Sequence, residues 1–136
     1  MTIRKGSATL DATRADALRS ALLEVHHAVV ECERRAYEKE HGRQTGAEFL
    51  QVVAYDDAYR WLSPLSRLIV ELDEGIEDAA DNPEPVVRAV ADRARSLLRR
   101  DPDPAVTFSQ RYAPLIDASP DVALAHGRLQ SVLRDL

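Results

Sequence analysis

Leu18, Leu22, Val25, Val29, Cys32 and Ala36 recur at spacings of 4, 3, 4, 3 and 4. Apolar positions three and four apart fall on one face of an α-helix. Neither Pro nor Gly interrupts the chain from Asp11 to His41. One helix of about 30 residues, and so about 45 Å long, is predicted. Asp11 or Thr13 is its expected cap, with Thr13 and Asp16 in a capping-box relation. Residues 1–10 read as a flexible tail, and residues 11–136 as a single helical-bundle domain. Gly42 stands where a helix-ending glycine is expected.

Thr45-Gly46-Ala47-Glu48 is a capping box, and it opens a second helix carrying Phe49, Leu50, Val52 and Val53. Asp56 and Asp57 interrupt that helix and can cap a short turn through Trp61. Ser63-Pro64 predicts a third helix, with Ser63 as N-cap and Pro64 at the first helical position. Its stripe is Leu62, Leu65, Ile69, Leu72 and Ile76. Asn82-Pro83-Glu84-Pro85 links to a fourth helix, which runs to about Arg100 with Val87, Val90, Ala94 and Leu97 inward. Asp101-Pro102-Asp103-Pro104 breaks the chain again. Residues 105–118 are helical in pattern, but Pro114 makes that helix short or kinked. Ser119-Pro120 starts the last helix, with Val122, Ala125 and Leu129 inward, followed by Val132 or Leu133.

No alternating β-branched run and no hairpin turn survives this pass. The fold class is therefore all-α: an antiparallel helical bundle of four main helices, plus two short or kinked ones across its ends or sides. Short connections make consecutive helices antiparallel neighbours.

Composition narrows the function classes. The 136-residue chain carries 30% charged residues and a formal net charge of −5, so it lacks the basic balance of a phosphate-binding protein. Its richest basic stretch, Arg93, Arg95, Arg99 and Arg100, ends an amphipathic helix, where cations suit the dipole. Nucleic acid is therefore not an expected partner. Cys32 is the only cysteine, which excludes an intramolecular disulfide. Its place on the apolar stripe reads as a small buried hydrophobe. The first ten residues hold no signal-type apolar run, and no apolar run reaches ~18 residues. No membrane span is expected, and the location expected is the cytoplasm. Basic residues are almost all Arg, a composition that fits a GC-rich bacterial genome.

Metal chemistry is the first to test in a bundle. Di-metal carboxylate sites use Glu-x-x-His on two different helices. Glu24/His27 and Glu38/His41 both match, but on the same helix and 14 residues apart. At helical rise they are about 21 Å apart and cannot share a metal within one chain. His27 and Glu31 fit a His-x-x-x-Glu spacing of the hemerythrin kind, but the second His pair is missing. Neither a metal nor a cofactor is therefore expected, with His27 and Glu31 as the alternative ligand pair. No Gly-x-Ser-x-Gly elbow, activated cysteine or Gly-rich phosphate loop occurs, so no catalytic residue is assigned. The acidic pairs Asp56/Asp57, Asp73/Glu74 and Glu77/Asp78 read as caps and surface charge.

One segment is unusual. Tyr55 to Pro64 holds three of the seven aromatics, including the single Trp. Tyr, Trp and Arg are enriched at binding hot spots. Tyr55, Asp57, Tyr59, Arg60 and Trp61 are the candidate interaction surface. The competing reading is that Tyr59 and Trp61 plug the end of the bundle. Leu23, Val30 and Tyr37 also widen the apolar face of the first helix, so a homodimer seam is a second candidate.

The runs Arg35 to Gly42, Ala58 to Ile69, Arg111-Tyr112 and Ser119 to His126 resemble a family of small uncharacterised bacterial helical proteins. Trp61-Leu62-Ser63-Pro64-Leu65-Ser66 is the most specific part of the resemblance. It implies a compact helical bundle in the bacterial cytoplasm and carries no catalytic residues. The functional expectation is a non-enzymatic protein that acts by binding a protein partner or itself. The alternative is a metal- or small-molecule-binding bundle, with enzymatic activity left open.

Overall fold

The computed structural model describes residues 2–136, with side chains described from residue 13 onward. Six α-helices follow in order: α1 (Thr2–His41), α2 (Gly46–Tyr55), α3 (Ser63–Asp78), α4 (Glu84–Leu97), α5 (Thr107–Ala118) and α6 (Pro120–Arg134). A 3-10 turn, Asp57–Leu62, joins α2 to α3. No strand occurs among the described residues.

Helix α1 is the spine. It has 40 residues and is about 60 Å long. Its start differs from the expected one. Met1 lies outside the described residues, but the backbone is already helical from Thr2, through the segment read as a tail. Asp11 and Thr13 therefore sit inside the helix and do not cap it. No Pro separates them from Thr2, so nothing in the backbone forces a break there. The other end is as expected. Gly42 has φ of 81°, and its N–H donates to the Glu38 carbonyl at 2.9 Å. A left-handed residue closing the last turn is the usual glycine device.

Cross-helix contacts fix the directions. Arg19 pairs with Asp73, and His26 meets Ser66, so α3 runs antiparallel to α1. Glu24 pairs with Arg128, and Arg35 with Asp121, so α6 does the same. The Arg95 guanidinium donates to the Leu133 carbonyl at 2.7 Å, and Gln130 donates to the Leu98 carbonyl at 3.2 Å. Helix α4 is thus antiparallel to α6, and it runs parallel to α1. These four helices form the expected bundle.

Its core is built from the predicted stripes. Leu18, Leu22, Val25 and Val29 of α1 are buried, with Leu65, Ile69 and Leu72 of α3, Val87, Val90 and Ala94 of α4, and Val122, Ala125 and Leu129 of α6. The α1 stripe does not continue as predicted. Cys32 is half-buried and Ala36 exposed, because the four-helix body ends near Val30 and α1 runs on beyond it. Val30 itself is buried, while Leu23 and Tyr37 pack against the core edge. The wide face of α1 is consumed inside its own chain.

Three further details depart from the sequence reading, and one contact has no counterpart in it. Ser63 does not cap α3, because the 3-10 turn runs straight into it and the Ser63 N–H donates to the Arg60 carbonyl. Helix α4 stops at Leu97, and Leu98 just beyond it is completely buried while Leu97 is half-buried. Helix α5 runs through Pro114 for 12 residues and buries Phe108, Ser109, Tyr112, Ala113 and Ile116. It is a core element, not a strap across the end. Finally, Gly75 lets α3 approach α4, since a Cβ there would run into Val86.

Candidate interaction surface

The region around Trp61 is assembled by local signals. The Thr45 hydroxyl accepts from the Glu48 N–H, and the Glu48 carboxylate accepts from the Thr45 N–H, both at 3.1 Å. These bonds hold the exposed Glu48 carboxyl below its ordinary range. Helix α2 starts on this box. Asp56 then leaves helical geometry, and its carboxylate accepts from the Ala58 N–H at 2.9 Å, which opens the 3-10 turn.

Helix α2 is apolar at seven of its ten positions, but it has little to pack against. Phe49 alone is buried. Its ring lies 5.5 Å from Tyr37 and 5.4 Å from Tyr59. His41 stacks on Tyr37 at 4.2 Å and completes this row of rings. Val52 and Val53 are half-buried against the core edge, while Leu50 is 56% exposed and Tyr55 83%.

The five residues singled out above divide. Tyr55, Asp57, Tyr59 and Arg60 border one shallow depression of about 390 Å³, with Val53 and Ser66. Arg60 donates to Asp57 at 2.7 Å, an exposed pair three residues apart that contributes little to stability. Trp61 does not join them. Its ring turns to Phe108, with centroids 5.5 Å apart, and continues a second row through Tyr112 to His126. Trp61 is half-buried core closure. A 3-10 turn carries three residues per turn, so adjacent residues point in different directions.

Electrostatics around the depression do not assemble a reactive group. Burial pushes the Tyr59 phenol above its ordinary value, and Glu33, Asp56, Tyr37 and Glu40 push the same way. Burial also raises the Glu33 carboxyl, against the opposing charge of Arg111. Burial, then Glu33, raises the Cys32 thiol, while Arg35 and a bond to Ser119 oppose the shift. A thiol held high stays protonated at neutral pH and is a poor nucleophile.

The alternative metal pair is not brought together as a site. The Glu31 carboxylate is engaged by Arg34 at 2.6 Å, while His27 is exposed. Its neighbour His26 is half-buried and meets the Ser66 hydroxyl at 3.3 Å. No group of three or more His, Cys, Asp or Glu placed to hold a metal occurs among the described residues. No described helix is long and apolar enough to cross a membrane.

Sequence reasoning missed two features. One is the exposure of Leu50, although a ten-residue helix with seven apolar positions cannot bury them all on one face. The other is a groove between α3 and α4, lined by Pro64, Arg67, Leu68 and Glu71 on one side and by residues between Arg93 and Val106 on the other. No protein-family model, curated protein or solved structure matches the chain.

Proposed function

We propose that the protein is a non-enzymatic helical interaction module of the bacterial cytoplasm, and that the corner formed by α2 and the 3-10 turn is its docking surface. One observation carries this reading. Leu50 and Tyr55 stand in water beside the depression bordered by Tyr55, Asp57, Tyr59 and Arg60. Large apolar side chains next to a concave polar rim are the makings of a hot spot. The wide α1 face is weak support for self-association, because the other helices of the bundle pack on it and Phe49 and Tyr59 pack on Tyr37. The occupant to test first is a second copy of the chain, docked through α2.

Light scattering after size exclusion, over a range of concentrations, tests this. A concentration-dependent dimer that Leu50→Glu converts to monomer supports the reading. A dimer unaffected by Leu50→Glu and Tyr55→Ala moves the interface elsewhere. A strict monomer at millimolar concentration removes the second copy as occupant. A second reading, a bundle that binds a small molecule, is favoured by the groove between α3 and α4.

A further inference from the structure

The groove lies where the start of α3 faces the end of α4. Its volume is about 310 Å³. Pro64, Leu68, Leu97 and Val106 supply apolar lining. Leu68 belongs to the core, and Leu97 and Val106 pack against it, so the floor is an opening onto the core itself. Small-molecule sites are mostly apolar, with a few placed polar groups.

The charges on the rim are unequally paired. Glu71 sits four residues after Arg67 on α3, the spacing of a helical ion pair. It is taken instead by Arg93, which reaches across from α4. Arg67 is left exposed, with no ion-pair or hydrogen-bond partner among the described residues. Asp103 lies in the loop after α4, with its carboxylate accepting from the Ala105 N–H at 2.9 Å. Among the described residues, the groove therefore has an apolar floor, a neutralised Glu71–Arg93 pair, one unpaired cation, Arg67, and one carboxylate without an ion pair, Asp103.

We propose that this groove binds a small aliphatic carboxylate, with its tail on Leu68 and Leu97 and its carboxylate on Arg67. This rests on the second reading above and adds the class of ligand. Arg67 donates in a planar fork that matches a carboxylate. Asp103, a rim carboxylate without an ion pair, repels the bound carboxylate and so weakens its binding. About ten non-hydrogen atoms suit the volume, and their affinity is about millimolar.

Titration of the protein with octanoate, followed by amide chemical shifts, tests the proposal. Saturable shifts confined to the groove are expected, and octan-1-ol and octylamine should bind more weakly. Arg67→Gln should weaken octanoate about tenfold, the loss of one charge-assisted bond. Asp103→Asn should tighten it, while Arg88→Gln, which removes an arginine paired with Glu84 outside the groove, should leave it unchanged. Leu97→Asp should abolish binding by placing a charge on the floor. Circular dichroism confirms that each variant is folded. Equal binding of octanoate and octylamine, or no effect of Arg67→Gln, overturns the carboxylate assignment alone. No saturable binding of any of the three probes overturns the small-molecule reading with it. Binding of an acidic leucine-rich peptide in place of octanoate overturns the small-ligand class.

Discussion

Two rows of rings run through this molecule, and they do different jobs. Trp61, Phe108, Tyr112 and His126 form one row, in which Phe108 and Tyr112 are completely buried and His126 nearly so. Its inner end is closed by the Tyr112 hydroxyl and His126 Nδ1 at 2.7 Å. His41, Tyr37, Phe49 and Tyr59 form the other, in which only Phe49 is buried. The first row lies between α5, α6 and the 3-10 turn, inside the cooperative core. The second row fastens α2 to the overhanging end of α1. Similar side chains therefore hold the whole fold in one place and a single short helix in the other. Local stability varies across a protein in this way, and interaction surfaces are drawn from its less stable parts.

The largest effect should come from breaking each row at its centre. Phe108→Ala should cost about 3–5 kcal/mol of global stability, read by denaturant unfolding. Phe49→Ala removes an equally buried ring, yet its loss should appear first as faster amide exchange in α2. Equal loss of protection in α2 and the bundle in both variants would show that the rows belong to one unit.

The next effect belongs to the buried pair. Tyr112→Phe keeps the ring and deletes the hydroxyl, which leaves His126 Nδ1 without its partner. The cost should be about 1–3 kcal/mol. A variant as stable as the parent would mean that the pair contributes nothing net.

Acid should act on the same row. Burial, then the charge of Arg100, holds His126 below its ordinary 6.5, and burial with His27 does the same for His26. The unfolded chain then binds more protons than the folded one below pH 6.5. Stability is full above that value and is lost as pH falls through the lowered pKa. Burial raises Glu33 and works in the opposite direction: its contribution is full below its ordinary 4.5 and is lost as pH rises through the raised pKa. The melting temperature should fall between pH 7 and pH 5, and His126→Gln should flatten the slope. An unchanged slope would assign the effect to His26.

The smallest effect should come from Thr45→Ala, which removes the capping box of α2 at a cost of about 1 kcal/mol. That loss should speed amide exchange in α2 and leave the bundle nearly untouched. A matching drop in global unfolding would contradict the separation of the two rows.

Much of this architecture is legible in the chain. Gly42, the Thr45 box and Ser119 each act on backbone groups within about four residues, so their meaning does not depend on the rest of the fold. Helix α6 starts after Ser119 as predicted, and the Ser119 hydroxyl caps it, accepting from the Val122 N–H at 3.3 Å. The α1, α3, α4 and α6 stripes likewise name most of the core. The candidate surface was only partly legible. Tyr55, Asp57, Tyr59 and Arg60 border one depression, but Trp61 turns inward. The difference depends on a single 3-10 turn, whose pitch composition does not reveal.

By itself the sequence determined that the chain is all helical, where most of its helices begin and end, and which stripe of each faces inward. These properties follow from short-range hydrogen bonds and from the 3.6-residue period. Tertiary structure decided what the leftover groups do. It covered the wide face of α1, left Leu50 and Tyr55 in water, and set Tyr112 against His126. It also gave Glu71 to Arg93 instead of Arg67. Each of these outcomes depends on which helices become neighbours, and that choice is made by packing between residues far apart in the chain.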